Sequence, residues 1–153
     1  MLKNFIIILI FSFFVNNCGY TPMYSTNNEI NFNFTKININ GENELGDLIE
    51  SNLKRYTNNE IQKEIELEIN VIYNKLSQTK NAAGETSEYL LVAEVECNIL
   101  SEGKKKKILI KKDFVMRNMD EEFEEKKYET TIKQNFAYSI VNRLVMQLST
   151  LEW

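Results

Sequence analysis

The chain has 153 residues, a formal net charge of −4 and no histidine. The missing imidazole removes the commonest general base and the commonest metal ligand. Weak net acidity with both signs interspersed argues against a general nucleic-acid binder.

Residues 1–17 have the layout of a bacterial export signal. Lys3 supplies one positive charge, and residues 5–15 form an apolar run of eleven broken only by Ser12. A bilayer-spanning helix needs roughly 20 apolar residues, so this run is too short for a stable transmembrane anchor. Cys18 stands where cleavage of such a signal falls. Alkylation of its thiol with a diacylglyceryl group, followed by cleavage before it, gives a mature chain that begins with lipid. Each buried methylene contributes roughly 0.8 kcal/mol, and two or more acyl chains together anchor durably. Val15 suits the position three before the cysteine, while Asn16 and Asn17 depart from the small residues such signals prefer. The alternative is an ordinary export signal, or an uncleaved apolar segment, with an incidental cysteine.

Cleavage before Cys18 leaves 136 residues and removes Lys3, so the net charge becomes −5. That length is one domain's worth of chain. With Cys18 lipidated, Cys97 has no partner for an internal disulfide. The expected division is a lipoprotein signal peptide over 1–17, a lipidated tether over 18–28 and a single α+β domain over 29–153.

The tether reads as extended, since Pro22 restricts the residue before it and residues 25–28 are Ser-Thr-Asn-Asn. Ile30, Phe32 and Phe34 then alternate with polar residues, and Ile37 and Ile39 continue displaced by one. This predicts a first strand centred on 32–39 with a bulge or break at Thr35-Lys36. Asn40-Gly41 reads as a turn and Asn43 as a helix cap, with Glu44 and Asp47 near the positive helix end. Leu45, Leu48, Ile49, Leu53 and Tyr56 share one helical face, and Asn58-Asn59 ends the helix.

Over 63–76 the alternation is strict. Ile65, Leu67, Ile69, Val71 and Tyr73 face one side, and Glu64, Glu66, Glu68 and Asn70 the other. Residues 77–87 read as a polar loop. A third strand places Leu91, Ala93, Val95, Cys97 and Ile99 inward, which makes Cys97 a small core residue. Glu102-Gly103 reads as a tight hairpin turn, leading to a fourth strand from Lys104 to about Asn118 with Ile108, Ile110, Phe114 and Met116 inward. Closing the hairpin there sets Cys97 opposite Ile108, Val95 opposite Ile110, and Glu94 opposite Lys111, a favourable pair. Lys112 then lands on the apolar face opposite Ala93, where a long stem can reach past the small neighbour to the sheet edge.

A charged stretch over 119–127 begins a second helix. Its stripe is Ile132, Phe136, Ile140, Leu144, Leu148 and Leu151, supported by Ala137, Val141 and Val145. The order is therefore β-α-β-β-β-α. Two apolar helix faces need a partner, and the inward sheet face is the only one available. The expected fold is an α+β two-layer sandwich with two helices packed on one face of a four-stranded mixed sheet. The first helix is a right-handed crossover between parallel strands.

The sequence holds no Gly-rich phosphate loop, no paired cysteines at metal spacing and no histidine-containing triad. Glu64, Glu66 and Glu68 alternate on an outer strand face, where carboxylates are solvated. The expectation is a protein that is not an enzyme and uses no metal or cofactor. The distinctive feature is Lys104, Lys105, Lys106 and Lys107, which span about a dozen ångströms at roughly 3.3 Å per residue. Lys105, Lys107, Lys111 and Arg117 share the outer face with Leu109 and Val115 between them. Ammonium groups interleaved with aliphatic side chains suit an anionic amphiphile, with charge for phosphates and apolar surface for acyl chains. The alternative is a solvated edge strand, which lysines protect from aggregation.

The segment Cys18-Gly19-Tyr20-Thr21-Pro22-Met23-Tyr24 resembles the Cys-Gly-aromatic-x-Pro-Leu-Tyr start of mature LptE, the lipopolysaccharide-assembly lipoprotein family. Met23 stands where leucine is usual. The element order and domain size also match that family. The resemblance implies a protein anchored by Cys18 to the periplasmic face of the outer membrane, since Gly19 is not the aspartate that retains many lipoproteins at the inner membrane. It implies a plug inside an LptD-like β-barrel that aids barrel assembly and lipopolysaccharide delivery. It also implies lipopolysaccharide binding through basic residues of the sheet, for which Lys104, Lys105, Lys106, Lys107 and Lys111 are the candidates. A charged outer face fits a polar, water-filled barrel lumen. The competing reading is an outer-membrane lipoprotein binding module for another envelope complex.

Overall fold

The computed structural model describes residues 32–57 and 63–150. The signal, Cys18 and the tether, together with Ile30, Asn58-Asn59 and Leu151, lie outside the described residues. The elements are β1 (Asn33–Gly41), α1 (Asn43–Leu53), a 3-10 turn (Lys54–Tyr56), β2 (Glu64–Lys80), β3 (Thr86–Ser101), β4 (Lys104–Arg117) and α2 (Glu122–Ser149). The sheet order is β1-β2-β3-β4. β1 runs parallel to β2, and the other neighbours are antiparallel. This is the expected α+β two-layer sandwich, with β1 and β4 as its edges.

Alternation sets the buried face. Ile65, Leu67, Ile69 and Val71 of β2 and Leu91, Ala93, Val95, Cys97 and Ile99 of β3 are all buried. Leu45, Ile49 and Leu53 of α1 cover them, as do Ile132, Phe136, Ile140, Leu144 and Leu148 of α2. Each fully buried aliphatic side chain contributes roughly 1.5–3 kcal/mol. The phase change in β1 is a bulge between Phe34 and Lys36. It leaves Thr35 unpaired in the ladder, with its hydroxyl donating to the Ile65 carbonyl. The shift keeps Phe32 and Phe34, then Ile37 and Ile39, turned to the core.

Several boundaries differ from the sequence expectation. Asn40 and Gly41 belong to β1, and the chain turns at Gly41, whose φ is +107°. A Cβ there would collide with the Val71 carbonyl oxygen, which instead accepts from the Glu42 amide at 3.0 Å. The cap of α1 is Glu42, not Asn43: its carboxylate accepts from the Leu45 amide. The α-helix stops at Leu53, and Tyr56 sits in the 3-10 turn, its hydroxyl 3.5 Å from Asn142 Oδ1.

The expected loop over 77–87 is mostly strand. β2 continues to Lys80 and β3 starts at Thr86. Hydroxyl pairs, Ser77 with Thr86 at 2.9 Å and Thr79 with Ser87 at 3.0 Å, zip the polar ends. The Asn81 side-chain carbonyl accepts from the amides of Ala83 and Glu85 and closes a five-residue turn.

The β3–β4 hairpin has the expected register: Cys97 opposite Ile108, Val95 opposite Ile110, Glu94 opposite Lys111 and Ala93 opposite Lys112. Glu102 and Gly103 both have positive φ, 51° and 78°, the signature of a type I′ turn matched to strand twist. Lys112 is half-buried on the helix side. Phe114, expected inward, remains 39% exposed at the sheet edge, where its ring meets Tyr128 edge-on at 6.3 Å.

Charged groups also join the layers. Lys133 of α2 bonds Glu42 at 2.8 Å and Glu44 at 2.6 Å, and its ammonium lies 4.4 Å from the centre of the Tyr73 ring. Lys75 of β2 bonds Glu125 and Glu129 of α2 at 2.7 and 3.0 Å. These contacts place the start of α2 over the far ends of β2 and β3. Thr130 bonds Glu44 and Tyr56 meets Asn142, so α1 and α2 run side by side in the same direction. Both head towards the end of the sheet where β1 begins. That end is the base, and the 81–85 turn marks the tip.

Candidate functional site

The helices cover one face of the sheet and leave the other open. Register fixes what the open face displays. At the base, Lys36, Glu66, Leu100 and Lys105 form one rung across all four strands, and Asn38, Glu68, Asn98 and Lys107 form the next. These rungs line a concavity of about 610 Å³. Lysines stand on both rims, on β1 and on β4, with Glu66 and Glu68 between them. At 4.7–4.9 Å per strand, Lys36 and Lys105 are rooted roughly 14 Å apart. The depression can meet phosphates at its rims and hydroxyl or ammonium donors along its floor.

The structure separates the candidate lysines. Lys104, Lys105, Lys106 and Lys107 are all exposed on an edge strand. Lys105 and Lys107 alternate onto the open face, whereas Lys104 and Lys106 fall on the phase of Ile108 and Ile110. Lys107 bonds Glu96 at 2.8 Å and Lys111 bonds Glu94 at 2.6 Å. The Glu94 carboxylate holds the Lys111 ammonium above the usual lysine range. Lys111 also lies outside the concavity, so it is a surface ion pair and not part of the same cluster. Lys105 and Lys106 are the candidates that line the concavity without a carboxylate partner among the described residues, Lys105 from the open face and Lys106 from the strand edge.

Two parts of this face escaped sequence reasoning. Lys36 joins the concavity only because β1 pairs in parallel with β2; its signal was the bulge, which moves it onto the open face. The second is an apolar patch nearer the tip, of which sequence reasoning placed only Val115 on the outer face. Ile72 of β2, Val92 of β3 and Val115 of β4 lie there with Leu76 and Leu90, which pair directly. Ile72, Leu76 and Val115 are 46%, 52% and 43% exposed. Val92 is buried by these neighbours although no helix covers it. The period-two signal is present here on both faces, and the inward one masked the outward one.

Cys97 is buried in the core, and desolvation pushes its thiol up to about 12. It packs as a small apolar residue, as its strand phase indicated.

No family model matches the sequence, and no curated protein matches it. Solved structures do share the fold. The rare lipoprotein B of Shewanella oneidensis superposes with a TM-score of 0.56 at 12% identity, over 75% of this chain and 94% of that one. An uncharacterised lipoprotein B of Nitrosomonas europaea gives 0.54 at 16% identity, over 78% and 86%.

Proposed function

We propose that this chain is a lipoprotein anchored through Cys18 to the periplasmic face of the outer membrane, where it plugs an LptD-like β-barrel, helps that barrel assemble and aids delivery of lipopolysaccharide to the outer leaflet. The observation that carries the reading is the uncovered sheet face. A basic-rimmed concavity at one end and an apolar patch at the other make one long surface built for docking. The resemblance of residues 18–24 to the mature LptE start supports it, and the shared fold of two proteins named lipoprotein B agrees with it. The polar part of the face suits a water-filled lumen. Lys36 and Lys105 are the groups that meet lipopolysaccharide phosphates on this reading, with Lys107 held back by Glu96.

Purification of tagged protein from detergent-solubilised outer membrane tests the partner. A stoichiometric large β-barrel is expected. A different envelope complex in its place would favour the general binding-module reading and overturn the plug. For the ligand, Lys36→Glu with Lys105→Glu lowers affinity in a lipopolysaccharide-displacement assay by tenfold or more, since a hydrogen bond to a charged group contributes roughly 1.5–3 kcal/mol. Unchanged displacement would remove the concavity as the binding site.

A further inference from the structure

The topology gathers cations at the base of the domain, the same end at which the chain arrives from Cys18. β1 begins there, with the Asn33 amide bonded to the Lys63 carbonyl at 2.8 Å. The β3–β4 turn at Glu102-Gly103 projects from that end, carrying Lys104, Lys105 and Lys106. The 3-10 turn after α1 brings exposed Arg55 to the same end. None of Arg55, Lys104, Lys105 or Lys106 has a carboxylate partner among the described residues. Glu64, Glu66 and Glu102 are the acids beside them. The opposite end is net acidic: Glu85 and Glu88 at the hairpin tip, then Asp120, Glu121, Glu122 and Glu124 where α2 begins, outnumber Lys80, Arg117, Lys126 and Lys127. The domain is charge-polarised along its long axis, although the whole chain is acidic.

The geometry points to a second membrane contact: the base of the domain, through Lys104, Lys106 and Arg55, docks on the anionic phospholipid headgroups of the leaflet that holds the Cys18 acyl chains. This rests on the lipidation of Cys18. Thirteen residues separate Cys18 from Phe32, so the base stands at most about 50 Å from the anchor at 3.3–3.6 Å per residue. A connection of that length confines the domain near the leaflet at millimolar effective concentration. Weak attraction then suffices to orient it, because each Lys or Arg near an anionic surface improves binding by about fivefold. Before the domain enters the barrel, its acidic tip is repelled by that leaflet and points into the periplasm. Lys104 and Arg55 lie outside the concavity and Lys106 reaches its rim, so this surface adjoins the one assigned above to lipopolysaccharide and extends beyond it.

The test uses the mature chain, residues 18–153, carrying Cys18→Ser, in co-sedimentation with vesicles of 30% phosphatidylglycerol in phosphatidylcholine. Binding is expected at low salt, none to pure phosphatidylcholine, and release at 0.5 M NaCl. Lys104→Gln, Lys106→Gln and Arg55→Gln together lower the affinity by about a hundredfold, with the circular dichroism melt unchanged. Equal binding of the triple variant, or equal binding to neutral vesicles, overturns the proposal. So does loss of binding with Lys36→Gln and Lys105→Gln alone, which would place the contact in the concavity. Competition by millimolar inorganic phosphate as effective as added vesicles would show a single-anion site and overturn a docking surface. Mass spectrometry of the native N-terminus separates the failures. An acylated Cys18 with no vesicle binding sinks this inference alone, while an unmodified Cys18 with vesicle binding sinks the anchor and leaves the surface.

Discussion

Among the described residues, Lys133 is the one buried charged side chain on a helix, with its side chain 8% exposed. Burial alone would lower its pKa, but the carboxylates of Glu42 and Glu44 outweigh burial and hold it above 10.5. The bond from Lys133 in turn holds Glu44 below 4.5, against desolvation. The second pair behaves alike: burial of Glu125 is outweighed by Lys75 and the Met119 amide, so its carboxyl also sits low. Carboxyls depressed in the fold give stability that is present above the unfolded value near 4.5 and lost as pH falls through the folded one. Raised lysines give stability present below 10.5 and lost as pH rises through their folded values. Urea midpoints are therefore expected to be level between these limits and to fall at both. Lys133→Met leaves Glu42 and Glu44 facing each other and costs about 2–3 kcal/mol, read as a lower urea midpoint near pH 7. The same variant has a shallower acid limb. This cluster was only faintly legible in sequence. Lys133 interrupts the stripe one turn before Ala137, and its partners come from a distant cap that was assigned to Asn43.

At the level of elements, legibility followed the locality of the signal. The β3–β4 register was readable residue by residue because two turn residues, Glu102 and Gly103, fix it. The β2–β3 hairpin was misjudged because hydroxyl pairs and an Asn81-centred turn leave no apolar alternation to read. The β1–β2 pairing joins segments about thirty residues apart, and only the bulge at Thr35 hinted at how it closes. The tight turn also carries a testable flaw. Glu102 sits at φ 51°, where asparagine is favoured over glutamate. Glu102→Asn is expected to stabilise the domain by about 0.5 kcal/mol, seen as a melting temperature raised by about 2 °C. No change or a decrease would mean that the glutamate makes a compensating contact.

The whole molecule divides into a covered face that holds it together and an open face free for other uses. The covered face was legible from periodicity alone. The open one was only partly legible, because Lys36 and the patch around Val92 exist only once four strands lie side by side. Leu76→Glu with Val115→Glu separates the two faces. Both side chains are half-exposed, so each substitution is expected to change urea stability by no more than about 0.5 kcal/mol. On the plug reading the same pair abolishes co-purification of the barrel. A folded double variant that still brings the barrel down at full stoichiometry would show that the patch lies outside the contact.

Both helices run towards the base, so α2 finishes at the end where β1 starts. If Cys18 is acylated as proposed, a fluorescent or affinity label fused behind α2 would sit at the end of the domain nearer the membrane. The turn at Ala82-Ala83 is the better handle. It stands at the far end of the seventeen-residue β2, roughly 55 Å away at 3.3 Å per residue, where an inserted reporter would stand farthest from the base.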